Sequence, residues 1–385
     1  MRSIELFSGC GGLALGLSRA GFKHDLMVEW NEDAVFTVAH NQNRRLSHIK
    51  DWPLQQGDVR EVAWAPYAGK LDLVAGGPPC QPFSIGGKHR GEEDFRDMWP
   101  EAIRAVRETS PRTFLFENVR GIARPTFEHY LRWIVAHLRH PTVTRKANEA
   151  HESHVKRLEA RRVPALYDVV VVLVNAADYG APQKRHRVIV AGLRKDLCVR
   201  LMPPKPTHSR ERLLWDQWVT GEYWRRHGID CPSEKLIFSA DQAIVLRLKK
   251  DLFAPIERPW VTVRDALMGL GEPDGKSNHV LQPGARIYPG HTGSPLDQPA
   301  KALKAGDHGV PGGENMMVRD DGSVRYFSIR ESARLQGLPD GYEFPRSWSE
   351  SMRQLGNAVP SQLSEAVGRW MAANLAAAGP EKLAA

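Results

Sequence analysis

Residues 76–84 read Gly-Gly-Pro-Pro-Cys-Gln-Pro-Phe-Ser and follow an apolar run, Leu71-Asp72-Leu73-Val74-Ala75, with the character of a buried strand. Pro78, Pro79 and Pro82 each fix a backbone φ and remove a donor, so the loop carrying Cys80 is stiff. Rigid display of one sulfur at a strand end suits nucleophilic catalysis, in which the attacking atom is held close to its target. Taken alone, a cysteine in a proline-rich turn reads first as a packed thiol. Its role therefore turns on what the rest of the chain supplies.

A second cluster lies at the N-terminus. Ser8-Gly9-Cys10-Gly11-Gly12 follows the strand-like Ile4–Phe7 and opens a helical segment, the place where doubly wound folds bind a cofactor. Glycines there let a ligand approach the backbone, although a tight turn explains them as well. Two carboxylates add weight. Glu29 ends the next strand-like run, where such folds place an acid on ribose hydroxyls, and Asp58 in Gly57-Asp58-Val59 is placed to accept from an adenine amino group. Each acid alone reads as a cap or a surface charge. With the glycine turn they point to an adenosine-containing ligand. No Gly-x-x-x-x-Gly-Lys-Ser/Thr cradle is present, which argues against nucleotide hydrolysis.

These residues need a scaffold, and the first ~195 positions alternate strand-like and helix-like segments, the signature of an α/β parallel sheet. His24–Val28, Leu71–Ala75, Thr113–Phe116, Val169–Val174 and Arg187–Ala191 are strand-like, while Phe127, Tyr130, Leu131, Ile134 and Leu138 fall at helical spacing. Residues 141–165 are charged and His-rich without a clear apolar stripe, and read as a surface insertion forming a solvated helix. After about residue 196 the alternation ceases, Pro and Gly become frequent, and Trp215, Trp218 and Trp224 cluster, which fits the core of a smaller second domain. Residues 1–197 are expected to form the catalytic and cofactor-binding domain and 198–345 the second, with a helix over 350–380 returning to complete the first.

The 385 residues carry 42% hydrophobic and 25% charged side chains, ordinary for a globular chain, and no stretch approaches ~20 consecutive apolar residues. The layout predicts a cytosolic protein. Cys10, Cys80, Cys198 and Cys231 show neither metal-site nor disulfide-framework spacing, so no metal is expected. A formal net charge of +8 favours a polyanionic partner.

In order, six blocks resemble the DNA (cytosine-5)-methyltransferase family of the prokaryotic restriction-modification type. They are Glu5–Gly12, Gly77–Ser84, Glu117-Asn118-Val119, Gln183–Arg187, Arg330–Gly337 and Gln354–Pro360. They run from residue 4 to about 365 and are weakest across the insertion and about residues 200–320.

The resemblance implies a doubly wound, Rossmann-like S-adenosylmethionine-dependent methyltransferase sheet with a smaller target-recognition domain. It makes Cys80 the thiolate that adds to cytosine C6, and Glu117 the acid that hydrogen-bonds N3 and the exocyclic amine. Arg187 would contact O2, and Arg185 would steady the site or a phosphate. For the cofactor it implies Phe7, Gly9, Gly11, Gly12, Glu29, Trp30, Asp58, Val59, Pro79, Asn357 and Val359, with S-adenosylhomocysteine as product. Trp99 stands at a further cofactor position that in the family holds a smaller apolar residue.

For DNA the resemblance implies Gln81 and Ser84, together with Lys88 and Arg90 in a mobile loop over 85–95. Lys304, Asp307 and His308 fall in a recognition segment, 302–314, where donors and acceptors meet base edges. Because the target atom lies inside a duplex, the base would have to rotate out of the stack, at a cost of a few kcal/mol. The expected partner is double-stranded DNA, with the chain acting as a monomer and a cognate restriction endonuclease encoded nearby. Two other readings stay open: an RNA methyltransferase of the tRNA branch, whose Cys-Phe-Thr segment is absent here, and an inactive DNA-binding homologue.

Overall fold

The computed structural model describes residues 1–79, 97–160, 164–289, 292–305 and 315–379. The chain divides into two compact units: Met1–Val174, His186–Pro204 and Gly341–Ala385 form one, and Asn175–Arg185 with Lys205–Asp340 form the other.

The first unit is α/β. Its strands are β1 (Arg2–Leu6), β2 (Lys23–Glu29), β3 (Leu54–Gln56), β4 (Leu73–Gly76), β5 (Thr113–Val119), β6 (Tyr167–Asn175) and β8 (His186–Arg194), in the order β3-β2-β1-β4-β5-β8-β6. The short strand β7 (Gln183–Lys184) belongs to the second unit. Strands β3 to β5 of the sheet run parallel, whereas β8 runs antiparallel to β5, a departure from the all-parallel expectation. An apolar run marks a buried strand but carries no direction. Between β1 and β4 the strand order reverses, and at their carboxyl ends such a switch point opens a crevice. Leu6 and Gly76 end there side by side, and a Cβ at Gly76 would stand 2.6 Å from the Leu6 carbonyl oxygen.

Helices α1 (Gly12–Arg19), α2 (Glu32–Asn43), α3 (Trp99–Thr109), α4 (Glu128–Arg139) and α5 (His151–Glu159) accompany the sheet. The core runs through Leu6, Val28, Val74, Phe114, Phe116, Ile134 and Val190, all nearly or fully buried. The helix Ser361–Ala378 packs on α1, where a Cβ on Gly16 would collide with Ser364 and one on Gly368 with Ala20.

The insertion differs from its sequence reading. α5 buries His151, His154, Val155 and Leu158, a stripe at i, i+3, i+4 and i+7. Trp133 Nε1 donates to His154 Nδ1 at 3.1 Å, which leaves His154 Nε2 to donate to the Val143 carbonyl at 2.9 Å. Two buried imidazoles, His151 and His154, thus occupy positions that a hydropathy scale scores as polar, and the helix packs on α4 instead of standing in solvent.

The second unit is built from short elements held by polar contacts as much as by apolar ones. Leu213, Tyr223 and Trp224 form one small core, and Leu214, Ile237, Val245 and Leu248 another, with Trp215 and Trp218 packed alongside. Buried Arg325 pairs with Glu331 at 2.7 Å, and Glu331 also closes a capping box on Ser328 at the start of the helix Ile329–Leu335. Among the described residues no helix is long and apolar enough to cross a membrane.

Candidate active site

Two clusters form at the carboxyl ends of the central strands. The first is built on β1 and β2. Phe7 (φ 58°), Gly9 (φ 55°) and Gly11 (φ 82°) alternate left-handed backbone through the turn, a conformation that Phe7 adopts at a cost. A Cβ on Gly11 would strike Trp52, and one on Gly12 would strike the Val359 carbonyl oxygen, so these glycines let the turn close against its neighbours. At Gly9 no described atom lies within 4 Å of where a Cβ would stand, leaving its backbone open to a ligand.

Glu29 ends β2, and its carboxylate accepts from Gly9 N–H at 2.7 Å and Asn31 N–H at 2.8 Å, tying the turn to the acid. Its backbone carbonyl accepts from Gly57 N–H at 3.0 Å, bringing Asp58 beside it. Trp30 follows with its indole 71% exposed. Asp58 pairs with Arg60 and caps the short helical turn that begins at Val59; the Arg60 guanidinium holds its carboxyl below the usual range. Ser8 Oγ is buried without a hydrogen-bond partner. Beneath the turn Glu5 is buried, and desolvation pushes its carboxyl well above the usual range.

An open backbone, an exposed indole, two carboxylates and an unpartnered hydroxyl fit an adenosine-bearing cofactor. Among the other expected cofactor residues, Asn357 is exposed and Pro79 is exposed, while Val359 and Val59 are buried. Trp99 lies at the start of α3, where its ring is buried and packs edge-on against Phe116.

The second cluster joins β4, β5 and β8. Because β5 and β8 are antiparallel, Val119 faces Arg187 in register, and alternation places Glu117 on the same face as Val119. Glu117 and Arg187 accordingly form an ion pair, nearly buried on both sides. The neighbouring Asn118 donates from Nδ2 to the Pro78 carbonyl at 2.9 Å, and Gly77 lies against the Glu117 carboxylate. The start of the Pro-Pro-Cys loop is therefore tied to the strand that bears the acid.

Cys80, Gln81, Ser84, Lys88 and Arg90 lie outside the described residues, as do Asp307 and His308. On the far side of the first gap Asp97 accepts from Trp99 N–H at 3.1 Å and from the Tyr130 hydroxyl. Of the described cysteines, Cys10 is buried, and desolvation pushes its thiol up to about 12, which removes it as a nucleophile.

Arg185 takes a different place from Arg187. It is 1% exposed and donates from Nη1 to the Leu303 carbonyl at 2.8 Å within the second unit, bracing the chain just before Lys304. Lys304 is exposed. Sequence reasoning missed Asn118, whose amide links the acid strand to the cysteine loop; its place within the Glu117-Asn118-Val119 block was the available signal.

A family model described as C-5 cytosine-specific DNA methylase matches residues 1–141, 143–219 and 284–373. Among curated relatives, the Type II methyltransferase M.NgoMIV of Neisseria gonorrhoeae is 30% identical over 378 residues, covering 95% of this chain and 96% of the relative. M.PspPI of Psychrobacter sp. (strain TA137) is 30% identical over 373 residues, covering 95% of this chain and 77% of that protein.

Two solved structures share the fold. A putative DNA modification methyltransferase encoded within an Escherichia coli prophage aligns over 98% of this chain and 99% of its own, with TM-score 0.59 and 22% identity. A mutant of Spodoptera frugiperda DNMT2 aligns over 96% and 99%, with TM-score 0.59 and 16% identity.

Proposed function

Because the chain belongs to the C-5 cytosine-specific DNA methylase family and therefore methylates cytosine C5 in DNA, we propose that Cys80, Glu117 and Arg187 carry the chemistry. The observation that supports this reading most strongly is the Glu117–Arg187 pair on adjoining strands, with Asn118 holding Pro78 two residues before Cys80.

Cytosine C5 is a poor nucleophile. The Cys80 thiolate adds to C6, forming an S–C6 bond and pushing the C5–C6 π electrons toward C5 and N3. Glu117 hydrogen-bonds N3 and the exocyclic amine and so stabilises the charge that develops on the ring. Arg187 orients Glu117 and contacts O2. A base takes the C5 proton after methylation, and elimination of the thiolate restores the ring's double bond.

S-adenosylmethionine, the methyl donor that family membership implies, supplies an electrophilic methyl group when bound. Glu29 would hold its ribose, Trp30 and Phe7 its adenine, Asp58 the adenine amine, and the Gly9–Gly12 backbone the remainder, with Pro79, Asn357 and Val359 near the methyl end. Lys304, Asp307 and His308 would meet base edges, while Gln81, Ser84, Lys88 and Arg90 would meet the duplex around the extruded cytosine. Since the curated relatives are Type II methyltransferases, methylation would protect host DNA from a partner endonuclease.

The test offers purified protein and labelled S-adenosylmethionine to duplex DNA and to tRNA in parallel. Label should enter cytosine C5 of the duplex; label in tRNA alone would sink the reading.

A further inference from the structure

Within the first unit, a guanidinium without a task in the catalytic reading joins two stretches of chain at the candidate cofactor site. Arg353 lies one turn before Asn357 on the helix Trp348–Asn357. It donates from Nη2 to Asn31 Oδ1 at 3.0 Å, across 322 positions of sequence. Glu350 holds the guanidinium from the same helix, accepting from Nε at 2.6 Å and from Nη2 at 2.7 Å. Gln354 Nε2 donates to Glu350 in turn, at 3.0 Å.

Asn31 passes this order on. Its Oδ1 also accepts from Ala34 N–H at 3.0 Å and caps α2. Its backbone N–H donates to Glu29 Oε1 at 2.8 Å, while Gly9 N–H donates to Glu29 Oε2 at 2.7 Å. One chain of contacts therefore runs from Glu350 through Arg353 and Asn31 to Glu29 and Gly9.

A carboxylate that accepts a backbone N–H at each oxygen has its remaining lone pairs aimed in fixed directions. Two vicinal hydroxyls gain most from such an acceptor when it is held before they arrive, because nothing is then ordered on binding. Arginine suits the task, since its planar fork engages Glu350 through two nitrogens and still has an N–H for Asn31. The Arg353 side chain is 37% exposed, so shortening it removes little packing.

We infer that Arg353 is a positioning residue for the cofactor's ribose, acting through Asn31 on Glu29 and touching neither the methyl group nor the base. The inference rests on the reading of Glu29 as the ribose acid.

Arg353→Met is compared with the parent by calorimetry, using S-adenosylhomocysteine and an analogue of it that lacks both ribose hydroxyls. The variant should bind S-adenosylhomocysteine about tenfold more weakly, the worth of one charge-assisted hydrogen bond, and the analogue within about twofold of the parent. In turnover, KM for S-adenosylmethionine should rise about tenfold while kcat and KM for DNA stay within about twofold. A merely structural role would weaken both ligands alike. Should Arg353→Met fail to fold, Asn31→Ser, which keeps a cap for α2 but is too short to reach Arg353, is expected to show the same split. Equal losses for the two ligands, or no loss for either, would overturn the inference. A parent that binds the two ligands equally well would instead overturn the reading of Glu29 on which it rests.

Discussion

Glu117 and Arg187 are nearly buried and face each other across two strands, so each is the other's main source of compensating charge. Glu117→Gln keeps the shape and one acceptor but loses the acid that stabilises the electron density pushed toward N3. It should lower the single-turnover rate by about 10² to 10⁴ while leaving S-adenosylmethionine affinity in place, as read by calorimetry. A rate within threefold of the parent would remove Glu117 from the chemistry.

At this scale much was legible, because residues at strand ends announce themselves. Gly9 and Glu29 were paired from their positions after consecutive strands, and a 2.7 Å hydrogen bond joins them. What Trp99 and Arg185 touch was not legible. Whether an indole at a helix start faces a ligand or a phenylalanine, and which carbonyl a guanidinium finds, depend on tertiary neighbours that spacing does not encode.

Among the elements, the buried parallel strands stood out as short apolar runs bounded by glycine and proline. The antiparallel course of β8 did not, yet it is what brings Arg187 to the Glu117 end of β5. The α5 stripe was hidden because histidine is scored as polar, although a neutral imidazole with hydrogen-bond partners packs well.

That packing makes stability depend on pH. On α4, burial beside His151 and His154 lowers His137 from 6.5 to about 3. Above about pH 6.5 the ring is neutral in folded and unfolded chains alike and favours neither. Below it the unfolded chain binds a proton that the folded chain refuses, so stability is lost as pH falls toward 3, by at most ~1.4 kcal/mol per pH unit for one group. His24, lowered to about 4 by burial, adds in the same direction. The thermal midpoint should therefore fall between about pH 7 and about pH 5, and fall less steeply in His137→Leu. Equal slopes in the two proteins would show that this imidazole is not buried neutral.

Over the whole molecule, the family match leaves residues 220–283 unassigned, and the second unit was the part least open to reading. Its elements are too short for periodicity to mark, and they are held by pairs such as Arg325–Glu331 and by the hydrogen bonds between Asn315 and Lys304. The first unit could be anticipated because an α/β sheet writes its architecture into alternating segments. The positive net charge agrees with a polyanionic substrate and by itself says no more.

What the chain must accomplish as a unit is a covalent attack on an extruded base. This is tested most directly with duplex DNA carrying 5-fluorocytosine at the target position together with S-adenosylmethionine. Fluorine at C5 cannot leave as the proton does, so elimination is blocked once the ring is methylated. The account predicts a stable one-to-one protein–DNA adduct whose cross-linked peptide contains Cys80, and no adduct with Cys80→Ala. An adduct that persists in Cys80→Ala, or methylation by that variant at the parent's rate, would contradict it.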